Sequence, residues 1–463
     1  MAFDPTIAAI RFGTGLSPDL PPPASVDGMM QALAGPDVMA ERYPIRSFED
    51  VRVDLNAVRD LVRERRVARE ANDADAVAVL AKQVRQLRGK ARMAQMLNLR
   101  QAVLRGAMTE DGLRERLTYF WADHFTAKGK QGIMKFSTSA YVTESIRPHV
   151  AGRFADMLRA VVVSPLMLTY LDQNVSLGPN SETGQRRKKR GLNENLAREI
   201  LELHTLGVGG PYSQTDVREL AELLTGLTYR HDRGFTFDPK MAEPGAETVL
   251  GVSYGGGAPR LRDVLAAMDD LARHPETARH LSHKLAVHFV SDTPDADLVA
   301  HMTDVYLASD GDLLQVTRAM LDHPASWSLQ AANVKLPFDF VTSSLRALAV
   351  PERRYQGWKW KDALRIIGTP MRVMGQEWEV PLGPDGWPEE DAEWITPVGI
   401  AGRIQWAMTI PDKILQELPD PRDFVETALG PRAPQAVHFA AQSAETQAEG
   451  IGLVLASPAF QRR

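Results

Sequence analysis

Apolar residues return every third or fourth position through most of this chain, the rhythm of helices with one buried face. Between about Phe48 and Arg105, Val77, Leu80, Val84, Leu87, Ala91 and Ala94 draw a single stripe. Asn72-Asp73-Ala74-Asp75 interrupts that pattern and predicts two antiparallel helices. Their many Arg and Lys residues read as a solvated face. Thr109, followed by Glu110 and Asp111, predicts an N-cap with acids in the first turn, where the helix dipole favours them. Helical spacing continues to about Leu171.

A further helix is expected to open near Asn193. Ser213 with Asp216 has the spacing of a capping box, and Gly226 is placed to end that next helix. The period then shortens. Gly234-Phe235-Thr236-Phe237 and Glu247-Thr248-Val249-Leu250-Gly251-Val252 read as short strands of one hairpin. Helices resume from Leu261 to Ala349, residues 351–396 form an irregular stretch rich in Trp, Pro and Gly, and a final helical pair follows. Residues 1–46, with Pro21-Pro22-Pro23, are expected to wrap a core. The fold predicted is mainly α: a multi-helix globular core with a small β-hairpin and an irregular C-terminal loop region. It divides into a wrap with long charged helices (1–108), a helical core (109–350) and a C-terminal loop with helices (351–463), expected to form one compact unit.

Composition narrows the function. A 44% apolar share is enough for a substantial core, and a net charge of −5 argues against a dedicated nucleic-acid binder. No run approaches the roughly 20 apolar residues of a membrane span. The chain has no cysteine, which excludes disulfides, thiolate metal sites and cysteine nucleophiles. Met1-Ala2-Phe3-Asp4-Pro5 has neither a basic region nor a long apolar run after it, so a cytoplasmic location is expected.

One constellation stands out on the helical wheel. In the segment from Asn193 to Val208, Leu196, Ala197, Ile200, Leu201 and Leu203 share an arc at about 100° per residue. Asn193 and His204 sit at the centre of that arc, while Glu194, Asn195, Arg198, Glu199 and Glu202 face the other way. His124 likewise continues the stripe of Leu113, Leu117, Phe120 and Trp121, with Asp123 pointing elsewhere, and Asp172 closes the apolar run Leu168-Thr169-Tyr170-Leu171. A buried polar group without a partner costs about 1–3 kcal/mol, so some of His124, Asp172, Asn193 and His204 are expected to meet each other or a ligand. The bland alternatives are core histidines bonded to carbonyls and an exposed Glu194–Arg198–Glu202 salt ladder. The functional alternative is a His/carboxylate site for a divalent metal or for acid–base work, although Glu202 and His204, two apart, diverge on a helix. His280, His283 and His288 read as solvated or capping residues, and the run Arg186-Arg187-Lys188-Lys189-Arg190 as a flexible basic loop. Neither a phosphate loop nor a Gly-x-Ser-x-Gly elbow is present.

The same residues carry a family resemblance. Trp121-Ala122-Asp123-His124-Phe125, Leu171-Asp172-Gln173-Asn174 and the Asn193–Val208 segment resemble a bacterial family catalogued as domain of unknown function 1800. Tyr212-Ser213-Gln214-Thr215-Asp216-Val217, Leu224-Thr225-Gly226, Thr248-Val249-Leu250-Gly251 and Lys335-Leu336-Pro337 extend it across nearly the whole chain. Where the family often has a His-Asp pair, this chain reads Met241-Ala242-Glu243-Pro244-Gly245. The resemblance implies a helical protein and a partner encoded by a neighbouring gene, of a family that looks like sulfatases and alkaline phosphatases. Two functions follow as expectations. One is a non-catalytic partner or scaffold for such an enzyme. The other is a hydrolase or group-transfer enzyme, with His124, Asp172, Asn193, Glu194, Arg198, Glu199, Glu202 and His204 as its candidate site and a divalent metal as its candidate cofactor.

Overall fold

The computed structural model describes residues 3–186, 191–330 and 333–463. Its regular structure is almost entirely helical, with two small antiparallel sheets, so the chain is mainly α as its spacing predicts. Helix α1 (Phe48–Glu70) opens on a capping box between Ser47 and Asp50. Asn72, at φ 57°, then reverses the chain, and Asp73 caps helix α2 (Ala74–Met108). The predicted stripe is the shielded face of α2, with Val84 and Ala91 buried and Val77, Leu80, Leu87 and Ala94 partly so.

Helix α3 (Gly112–His124) begins later than the expected cap at Thr109. Thr109 instead closes α2, its hydroxyl accepting the Asp111 N–H, and the Asp111 carboxylate caps α3 by accepting the Arg114 N–H. Two apolar clusters meet along this helix. Leu113, Leu117, Phe120 and Trp121 belong to one, built from residues near the N-terminus and from the long middle of the chain. Tyr119 packs against the other, which joins the last turns of α2 to residues 338–460. Helix α3 is the seam between them.

Downstream, the short helix α4 (Asn195–Glu199) runs on as a wider π-helical turn, Ile200–Thr205, and Gly207 leaves it at φ +84°. Helix α5 (Gln214–Leu223) opens on the predicted Ser213–Asp216 capping box. The expected single hairpin is two. β1 (Leu227–Arg230) pairs with β2 (Gly234–Phe237), and β3 (Gly245–Val249) with β4 (Val252–Gly257). The stretch read as one strand from Glu247 to Val252 folds back at Leu250 and Gly251, both at positive φ, as a two-residue hairpin turn requires.

Helices α6 (Pro275–Phe289) and α7 (Pro337–Ala347) complete the surroundings of the site. The C-terminal region is more helical than expected. Residues 352–373 form short helices, five more run from Pro397 to Gln461, and the longest irregular segment is 374–390. Apolar residues there come in runs too short to show a period, so the pattern hides them. Of the basic run, residues 187–190 lie outside the described residues. Among the described residues, no helix is long and apolar enough to cross a membrane.

Candidate functional site

His124 and His204 do come together, their ring centroids 6.0 Å apart. His280, expected in a solvated or capping role, joins them at 6.2 Å from His124. The reason lies at the end of α4, where the last-turn carbonyls have no helical partner. The His124 imidazole donates through Nε2 to the His204 carbonyl at 3.2 Å, and His280 Nε2 donates to the Leu203 carbonyl at 3.2 Å. Two rings thus cap a helix terminus. His124 Nδ1 and His204 Nδ1 are buried without a partner. Burial, helped by the Lys284 ammonium, holds His124 well below the usual histidine range, His204 at about 3 and His280 at about 4. Burial keeps these rings neutral, and the lysine that adds to this would also repel a divalent cation.

The other expected members sit apart from this cluster. Asp172 is exposed and pairs with Lys130 at 2.6 Å. Asn193 organises the start of α4, accepting the Asn195 N–H at 2.9 Å and donating to the Leu171 carbonyl at 3.2 Å. Arg198 reaches Glu194 at 3.4 Å and Glu202 at 3.1 Å, with Gln214 bridging Arg198 and Glu194. That is the salt ladder. Glu199 is half-buried, and desolvation with Glu202 and Asp385 nearby pushes its carboxyl up to about 7.

The chemistry gathers instead on the opposite side of α3. Residues 376–389 lie over α3 and α7 and enclose with them a cavity of about 110 Å³. None of the eight expected site residues lines it. Asp123 does, because one residue step along α3 turns its side chain about 100° away from His124. Asp123 Oδ1 accepts the Trp387 N–H at 2.9 Å, which favours the charged form. Burial and the Glu389 carboxylate outweigh that bond and lift Asp123 to about 8. Gly386 makes the close approach possible: a Cβ there would fall 2.6 Å from Asp123 Oδ2.

Glu389 is driven the other way. Arg116 Nη2 donates to His288 Nε2 at 2.9 Å, which fixes the proton of this imidazole on Nδ1. That Nδ1–H donates to Glu389 Oε2 at 3.0 Å, and the bond, with Lys284 and Arg463 nearby, holds Glu389 below the usual carboxylate range despite burial. His288 itself is held near 4 by desolvation. Beneath it, Asp339 is clasped by Arg463 and lies 3.6 Å from Arg116. On the far wall Glu379, bonded by Ser139 and Gln95, is pushed up to about 7 by burial.

A family model described as "Protein of unknown function (DUF1800)" matches residues 13–462. The chain belongs to this family. No curated protein and no solved structure gives a match. In this DUF1800 chain the segment from Trp121 to Phe125 serves both sides of α3, with Asp123 in the cavity and His124 on the helix cap. Lys335-Leu336-Pro337 leads into α7. Leu336 lines the cavity, and Lys335, buried against the Phe460 ring, is lowered to about 7 by desolvation. Sequence reasoning missed Glu379, Trp387 and Glu389 because they stand in an aperiodic loop. The density of Trp and Glu between residues 376 and 394 was the available signal. The group among the described residues with carboxylate oxygens mutually within 4.8 Å is Glu219, Glu222 and Glu247, away from the cavity and outside the expected set.

Proposed function

We propose that the cavity beside α3 is the active site of a hydrolase or group-transfer enzyme working by acid–base catalysis. The observation that carries this reading is the split between two neighbouring carboxyls. Asp123 keeps its proton at neutral pH while Glu389 stays ionised. Environments that push a pair of acids apart create a proton donor and a proton acceptor on one site. Asp123 is the general acid, giving its proton to the leaving atom. Glu389 is the general base, taking a proton from the attacking water or hydroxyl. His288 and Arg116 are positioning residues that hold Glu389 as a carboxylate. A cavity of about 110 Å³ admits a small ligand or the end group of a larger one, given that an engineered void of about 150 Å³ takes a benzene ring.

The test is a titration of protein labelled with ¹³C at aspartate Cγ, with Asp123→Asn to assign the signal. Asp123 should titrate near pH 8, and Glu389→Gln should lower that midpoint by removing the neighbouring charge. A midpoint near 4 in the wild type sinks the acid role. A panel of nitrophenyl esters, phosphates, sulfates and glycosides then seeks a hydrolysis that both variants abolish.

The partner reading has one observation of its own. Over residues 52–90 the α1–α2 pair buries only Val84, and residues 52–92 hold eleven Lys or Arg against six Asp or Glu in a chain of net charge −5. Such an arm suits an acidic protein surface. Salt-sensitive capture of the neighbouring gene product, lost when Arg59, Arg63 and Arg66 are reversed to Glu, would support it. Capture unaffected by that reversal would remove it.

A further inference from the structure

Three guanidiniums stand in the cavity wall, and two are answered by acids. Arg147 is clasped by Glu115 at 2.6 and 2.9 Å and by Asp37 at 2.5 and 2.9 Å. Arg116 is bonded to His288 and faces Asp339. Arg105 differs. It is 2% exposed, its Nε donates to the Tyr43 carbonyl at 3.0 Å, and it makes no ion pair among the described residues. Its Nη2 is buried with no partner. The nearby acids are spent elsewhere: Glu115 and Asp37 on Arg147, Asp339 on Arg463 and Arg116, and Glu389 on His288, while Asp123 and Glu379 are raised to about 8 and about 7.

A second wall residue repeats the deficit. Trp378 Nε1 is also buried without an acceptor. Among the described residues of the wall, these two side chains hold the unpartnered buried atoms, and both are donors. The unmet groups therefore call for an acceptor. Around them Tyr119, Phe338 and Trp378 form an aromatic face, with centroids 4.6 Å apart for Tyr119 and Phe338 and 5.3 Å for Phe338 and Trp378.

We infer that the cavity takes a small organic oxyanion, a carboxylate or phosphate bound to the unpaired Arg105 guanidinium with its apolar body against Tyr119, Phe338 and Trp378. A guanidinium presents parallel N–H groups that match the paired oxygens of such an anion, and burial strengthens the bond by excluding water. The cavity volume confines the bound part to about one ring or a short chain. This deepens the acid–base reading and rests on it only for the labile bond, which would then lie toward Asp123.

Benzoate and inorganic phosphate are the probes, each titrated into the full-length protein at pH 7 and followed by tryptophan fluorescence and calorimetry. The expected result is saturable binding of at least one, with the other arm showing whether carboxylate or phosphate geometry is preferred. Arg105→Gln should weaken that binding at least tenfold. Trp378→Phe, which removes one donor without touching α2, should weaken it several-fold and serves if Arg105→Gln fails to fold. Absence of saturation by both probes overturns the inference, as does unchanged affinity in folded Arg105→Gln and Trp378→Phe. Binding that persists while Asp123 titrates near 4 would instead reject the acid–base reading and leave the oxyanion site standing.

Discussion

Asp123 and His124 are chain neighbours that serve opposite environments. On the His124 side, regular helices pack three imidazoles against the end of α4, and two of the rings are spent on backbone carbonyls. On the Asp123 side, an irregular segment closes over the helix and leaves room for about 110 Å³ of something else. Both sides bury titratable groups and both shift them strongly. The difference is what the buried groups are bonded to. His124 and His280 spend their N–H groups on helix-end carbonyls and the ring nitrogens left over lie in a packed core, whereas Arg105 and Trp378 have donors left over in the wall of a cavity. A perturbed acid or base marks a candidate site, and the unsatisfied donor beside a cavity is what separates a site from a well-packed core.

The largest effect that would break this contrast is on stability. His204→Ala removes a ring buried to 1% exposure among Phe125 and His124, and should cost about 3 kcal/mol, as other large-to-small core changes do. Asp123→Asn should cost nothing at pH 7 and should raise stability, since the folded wild type must hold a proton that the unfolded chain has released, whereas the amide is neutral in both states. Urea unfolding of both variants measures the difference. Equal losses would mean that Asp123 is as structural as His204 and that the two sides of α3 do not differ in kind.

The two sides should also respond to pH in opposite directions. His204 and His280 have folded values near 3 and 4, below the ordinary 6.5, so between those limits the unfolded chain binds more protons. Their contribution to stability is complete above pH 6.5 and is lost as pH falls toward 4. Asp123 is raised to about 8 from an ordinary value near 4, so there the folded chain holds the extra proton. Its contribution is complete below about pH 4 and is lost as pH rises toward 8. Denaturant unfolding at a series of pH values should therefore show His204→Phe losing less stability than the wild type on acidification, and Asp123→Asn losing less on the rise from pH 5 to 8. Identical pH slopes in either variant and the wild type would refute the corresponding assignment.

Much of the fold was legible because helices advertise themselves through spacing. The break at Asn72, the Ser213–Asp216 box and the stripe of α2 all stand where the residues put them. The meeting of His124 with His204 was also legible, since polar groups planted among leucines need an answer nearby. Two things were not. The strand read through Leu250 and Gly251 hides a turn, because a β-branched run and a two-residue hairpin differ there only in the sign of φ. The cavity residues Glu379, Trp387 and Glu389 come from a segment without a period, and only tertiary folding brings them over α3. Asp172 shows the converse. Its place after an apolar run suggested burial, but it occupies the left-handed region at the end of that run and turns outward to Lys130.

The smallest of these effects sharpens the comparison most locally. Gly386 sits at φ +85°, where an L side chain is strained, and an added Cβ would meet the Asp123 carboxyl at 2.6–2.7 Å. Gly386→Ala should therefore cost about 1 kcal/mol for the backbone alone. The clash is with the end of a side chain, so the carboxyl can move aside. In moving it should leave the Trp387 N–H and alter its distance from Glu389, so its titration midpoint should shift away from that of the wild type. The imidazoles across the helix touch neither group, and their titration should stay as it was. A shift in the histidine signals with none at Asp123 would mean that the loop bears on the helix as a whole and not on the carboxyl it covers.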